Sequence, residues 1–215
     1  KNEHGLLPLS KPQSIALIGD FGKSHPRYQG MGSSRVQSSK VTSVYDGLLK
    51  YVDDASQILF SEGYHFDDDH TENIDTVKLQ DAVATAKKAE IVILCVGLPE
   101  IMESEGFDRE HLDLPAQHTA LVETICNIHK NVIVVLANGG AVEMPWVPLP
   151  KVILESYLLG EAGGEAVVDL IFGKASPCAK LAETFPERQS DLLAEIYFPG
   201  TRHNVQYREG LCVGY

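Results

Sequence analysis

The sequence predicts an α/β fold: a mostly parallel, doubly wound sheet with helices on both faces, an α/β sandwich. Three observations lead there. Near-continuous apolar runs at residues 14–19 (SIALIG), 90–97 (EIVILCVG) and 131–136 (NVIVVL) read as strands buried on both faces. Between them lie segments whose apolar residues recur at helical spacing. The runs discharge into glycine-rich or charged loops, and an open sheet of this kind places its chemistry outside the carboxyl ends of its strands.

Taken in order, the chain opens with a short apolar segment, Leu6-Leu7-Pro8-Leu9, that packs the N-terminus onto the body. The first strand ends at Gly19, and the long loop after it carries Gly30-Met31-Gly32-Ser33-Ser34. Ser43 and Asp46 form a capping box, with Val44, Leu48 and Val52 at helical spacing behind it. Residues 56–60 (SQILF) make a second strand, and residues 64–73 a polar loop. Val77, Leu79, Ala82, Val83 and Ala86 line one helix face. The strand at 91–96 follows, and Pro115 then suits the first turn of a helix buried through Leu121, Val122, Ile125 and Ile128. Residues 151–154 give a shorter strand. The last helix follows the turn at Gly160, Gly163 and Gly164 and stops at Gly173, placed as a C′ residue.

Length and composition bound the rest. The 215 residues suit a single domain spanning 1–215, with a polar tail from about residue 187. A net charge of −12 without a basic patch argues against nucleic acid. No apolar run reaches the roughly 18 residues of a membrane-spanning helix, so no membrane partner is expected. The four cysteines show no C-x-x-C spacing, and Cys95 and Cys126 sit inside apolar segments. They read as free thiols of a reducing, cytoplasmic setting; a chain that had lost a leader would instead be secreted or periplasmic. The chain ends on an apolar segment, where domains rarely stop, and so reads as cut.

The chemistry concentrates between Gly97 and Pro115. Glu100, Glu103, Glu105, Asp108, Glu110 and Asp113 crowd there with one arginine, Arg109. On charge alone this is also the pattern of a solvated acidic loop. Gly106 and Phe107 distinguish Glu105, because partial burial beside a ring and neighbouring negative charge would raise its pKa toward that of a general acid. The Gly30–Ser34 loop lacks the G-x-G-x-x-G pattern and a P-loop lysine, so no nucleotide is expected. Asp67-Asp68-Asp69-His70 matches no EF-hand spacing and reads as an acidic turn, so no metal and no other cofactor is expected. Trp146 is either core or a sugar platform.

Several segments, in this order, resemble the second, α/β-sandwich domain of the family 3 glycoside hydrolases, the β-glucosidase-type enzymes. They are KNE with LLPL, IALIG, GMGSS, VGLPEIMESEGFDREHLDLPAQ, VVLANGGAVEMPW, ILESYLLGEAGGEAVVDLIFG, KLAETFP and YREGLCVGY. The resemblance implies a retaining β-glycosidase whose nucleophile lies on a preceding barrel domain of the same polypeptide. It implies that Glu105 is the acid/base, that Ser33 reaches the sugar, and that Arg109 helps to bind a β-linked glucoside or oligosaccharide. The terminal EGLCVGY resembles the link to a fibronectin-like third domain. Met31 stands where many relatives carry glycine, which narrows the loop. The short connection before Thr76 lacks the extra sugar-binding module inserted in some relatives. On this reading the chain folds alone but hydrolyses nothing without the barrel; the alternative is a non-catalytic carbohydrate-binding or scaffold module.

Overall fold

A computed structural model describes residues 1–66, 73–107 and 109–214. The acidic turn expected at Asp67-Asp68-Asp69-His70 lies outside the described residues. Five strands form one sheet: β1 (Ile15–Ile18), β2 (Ile58–Ser61), β3 (Ile91–Gly97), β4 (Val132–Ala137) and β5 (Val152–Glu155). All neighbours are parallel and the order is β2-β1-β3-β4-β5. The three apolar runs are therefore adjacent at the centre, β1 beside β3 beside β4. Every residue of these strands is buried, which is why they carry continuous rather than alternating hydrophobicity.

Helices α1 (Val44–Leu48), α2 (Thr76–Ala86), α3 (Ala116–Ile128) and α4 (Gly163–Ile171) supply the outer layers, α1 packing on α4 and α2 on α3. The expected capping box starts α1: Ser43 Oγ accepts from the Asp46 amide at 3.1 Å, and Asp46 Oδ2 accepts from the Ser43 amide at 2.9 Å. This helix is short and ends at Leu48, and turns closed by the Lys50, Tyr51 and Val52 amides on Gly47 O and Leu48 O carry the chain on to Val52. It can approach α4 so closely because Gly47 has no side chain; a Cβ there would lie 2.8 Å from Val168 Cγ2. At the end of α4, Gly173 adopts φ +72°, its amide bonds Leu170 O, and the Lys174 amide bonds Asp169 O. That is a Schellman motif, as the glycine foretold.

Three expectations fail locally. Val77 and Ile128, at the two helix ends, are 74% and 42% exposed rather than core. Tyr64, read as polar loop, is fully buried: its hydroxyl donates to Cys95 O at 2.6 Å and accepts from the Phe21 amide at 3.2 Å. Pro115 is the N-cap of α3, one residue outside the helix. Trp146 resolves to core. The thiols of Cys95 and Cys126 are pushed up to about 12, in both cases chiefly by burial. The polar tail carries 3-10 turns at Gln189–Asp191, Glu195–Tyr197 and Gly210–Cys212.

Candidate active site

The chain runs from β1 outward to β2 and then returns across β1 to β3, so the loops after β1 and β3 part at the switch point of the sheet. A crevice forms there in folds of this kind. Glu105 lies on the loop after β3 and Ser33 on the loop after β1. The Ser33 amide and hydroxyl both donate to Glu105 Oε2, at 2.7 and 2.5 Å. Met31 and Ser104 pair alongside as an isolated parallel bridge. Gly32 makes the approach possible: its φ is +100°, and a Cβ would lie 2.5 Å from Glu105 Cβ.

This geometry overturns the expected pKa. The Glu105 carboxyl is held below the ordinary range, first by the Ser33 hydroxyl, then by the Ser33 amide. Glu105 and Phe107 are both exposed, so in this chain the ring does not bury the acid. The side chain is an ionised, pre-oriented carboxylate at an open edge.

The neighbouring acids are not one solvated cluster. Glu103 is buried in a network that joins three loops. Its Oε1 accepts from the Gly139 and Gly140 amides at 2.6 and 3.1 Å, after β4. Its Oε2 accepts from Arg27 Nη2 at 3.0 Å, after β1. Arg27 also donates through Nε to Leu98 O at 2.7 Å and through Nη1 to Gln29 O. Burial lowers the Arg27 pKa, and the charges of Glu103 and Glu100 oppose that shift. Glu100 itself lies 3.8 Å from Arg35. Neither Glu103 nor Arg27 stood out in the sequence. Glu103 is one of six similar acids, and its partners lie 36, 37 and 76 residues away.

Arg109, expected to help bind the sugar, contacts the loop after β4 within this chain. Its Nη1 donates to Ala141 O at 3.1 Å, while Nε and Nη2 are closed off from solvent without a hydrogen-bond partner among the described residues. Burial lowers its pKa, opposed by Glu103, Asp113 and Glu183. Glu155, at the end of β5, is pushed up to about 7, mainly by burial and further by Glu103, against the Tyr157 amide and Asn138. The tail reaches the same edge: the Leu112 amide donates to Gln189 Oε1 at 2.9 Å, and the Gln189 amide to Glu143 Oε2 at 2.9 Å. Among the described residues no three metal-ligating side chains converge, and no helix is long and apolar enough to cross a membrane.

Fold and site together define a doubly wound α/β domain presenting a braced carboxylate at its switch point. The chain belongs to glycosyl hydrolase family 3, as a C-terminal domain of that family: the profile of the Glycosyl hydrolase family 3 C-terminal domain matches residues 1–215. It is 42% identical over 215 residues to thermostable beta-glucosidase B of Acetivibrio thermocellus, covering all of this chain and 28% of that protein. It is also 42% identical over 225 residues to an exo-alpha-(1->6)-L-arabinopyranosidase of Bifidobacterium longum, covering 29% of its length. Its structure is similar to a beta-glucosidase of Bifidobacterium adolescentis, with TM-score 0.89 and 45% identity over the whole chain and 31% of the other. A beta-glucosidase of Kluyveromyces marxianus in complex with glucose shares the fold, with TM-score 0.85 at 17% identity over 97% of this chain and 43% of that one. The chain spans less than a third of the length of the curated relatives named here.

Proposed function

We propose that this domain lends the acid/base carboxylate, Glu105, to a retaining glycosidase site shared with a barrel domain of the same polypeptide. The carrying observation is the placement of Glu105 and Ser33 on two loops that meet at the switch point of the sheet. A retaining mechanism needs a nucleophile and an acid/base about 5–5.5 Å apart. On this loop Glu103 is consumed by Arg27 and two backbone amides, and Glu100 sits beside Arg35, so neither offers a free second carboxylate. The family resemblance, rather than elimination, assigns the nucleophile to the barrel, within the length by which the relatives exceed this chain.

A general acid must hold a proton before the leaving group departs. Glu105 in this chain is ionised and open to water, so the reading requires the barrel and the sugar to bury it. A sugar hydroxyl would also have to compete for the Ser33 hydroxyl; both changes raise the carboxyl pKa. Arg109 enters this reading as a brace of the loop after β4 rather than a sugar donor, because its remaining nitrogens are closed off. The expected substrate is a β-linked glucoside or oligosaccharide. Two equally identical relatives bear different substrate names, so an α-L-arabinopyranoside belongs in the same assay.

The test assays the purified chain on activated aryl glycosides of both sugars, alone and as part of the full-length enzyme. The chain alone should turn over nothing. The full-length Glu105→Gln variant should lose about 10²–10⁴-fold on poor leaving groups and far less on activated ones. Turnover by the chain alone, abolished by Glu105→Gln, would overturn the shared-site reading. Sugar binding with no turnover in the full-length protein would favour the non-catalytic module.

A further inference from the structure

We propose that Glu103 is a positioning residue for Glu105: a buried carboxylate that ties the loop after β3 to the loops on either side of it. The proposal rests on the acid/base reading above for its functional meaning, but its geometry stands independently. Two residues before Glu105, the Glu103 side chain is only 10% exposed. Both of its oxygens are used. Oε1 takes the Gly139 and Gly140 amides of the loop after β4; Oε2 takes Arg27 of the loop after β1. Arg27 is more buried still, at 3%, and its Nε is anchored on Leu98 O, where the β3 loop begins. Gly139 fits closely over the carboxylate, since a Cβ there would lie 3.1 Å from Glu103 Oε1.

The segment carrying Glu105 is thus pinned just before the acid. Ser104 pairs with Met31, and Ser33 then meets Glu105 itself. Without the tie at Glu103, the loops after β1 and β3 keep only the Met31–Ser104 bridge and the Arg27–Leu98 bond beside the Ser33–Glu105 contact, and the link to the loop after β4 is lost. The separation between Ser33 and Glu105 would then be held less tightly.

A carboxylate is required at position 103 for a chemical reason. Glutamine could still offer one oxygen to the two glycine amides. Its NH2 would then face the Arg27 guanidinium, placing donor against donor and leaving a buried cation uncompensated. A displacement of about 1 Å in a catalytic group can cost about 10²-fold in rate. The loss should fall on proton donation, because the glucoside-binding surface contributed by the barrel is untouched.

The experiment has two readouts. In this chain, carboxyl NMR titration of Glu103→Gln should show Glu105 returning to the ordinary glutamate range as it leaves Ser33, whereas Glu103→Asp should keep part of the depression. In the full-length enzyme, Glu103→Gln should lower kcat about 10–100-fold on poor leaving groups, with KM little changed and activated aryl glycosides losing less than about 3-fold. If Glu103→Gln does not fold, Gly139→Ala presses the same carboxylate by a few tenths of an ångström without stranding a charge and should give the same pattern at smaller size. An unchanged Glu105 titration, or equal losses on both substrate classes, would overturn the positioning role. Failure of Glu105→Gln to discriminate leaving groups would overturn the acid/base reading instead, and the titration result would still decide whether Glu103 positions its neighbour.

Discussion

Ser33 donates twice to a single oxygen of Glu105, through its amide at 2.7 Å and its hydroxyl at 2.5 Å, across 72 residues of sequence. Two donors on one carboxylate oxygen orient the side chain and stabilise its ionised form. They make the loop after β1 a part of the site rather than a turn beside it.

Removing one donor should raise the Glu105 pKa. The Ser33 hydroxyl is the largest cause of the depression, with the amide second, so Ser33→Ala abolishes the first and leaves the second. The expected result is an upward shift that stops short of the ordinary value, read from the side-chain carboxyl resonance in a pH titration. No shift would mean that the hydroxyl does not hold the carboxylate in solution.

Glu155 should make stability fall as pH rises. Its folded pKa is raised from 4.5 to about 7 by burial, so the native state holds a proton that the unfolded chain has released. Stability from this group is full below about pH 4.5, declines through the interval up to about pH 7, and is lost above it. At 1.36 kcal/mol per unit of pKa, the total is at most about 3 kcal/mol. Glu155→Gln should therefore raise Tm at pH 8 and leave it nearly unchanged at pH 4. An equal effect at both values would assign the change to packing.

Gly97 should resist substitution more than its place at a strand end suggests. A Cβ there would lie 1.9 Å from Ala137 O and 2.6 Å from Ala137 C, both backbone atoms of β4. Neither can rotate away, so β3 and β4 must separate where both loops leave the sheet. Gly97→Ala should cost at least about 3 kcal/mol, the upper end of ordinary overpacking, in a urea unfolding series. A loss under about 1 kcal/mol would show that the strand end yields without cost.

The sequence by itself determined the sheet and its family. Continuous apolar runs mark strands covered on both faces, and Ile15–Ile18, Ile91–Gly97 and Val132–Ala137 are those strands. Local chemistry also sufficed for the Ser43–Asp46 cap and the Gly173 stop, because each is satisfied within a few residues. Tertiary structure alone decided what each acid does. Glu103 and Glu105 are two positions apart and alike in composition, yet one is buried on Arg27, Gly139 and Gly140 and the other stands exposed on Ser33. Tyr64 is core for the same reason: its partners Phe21 and Cys95 arrive from the turn after β1 and from β3, not from its own loop. A carboxylate's pKa follows from which donors and charges the fold brings within a few ångströms, and one-dimensional spacing carries none of that.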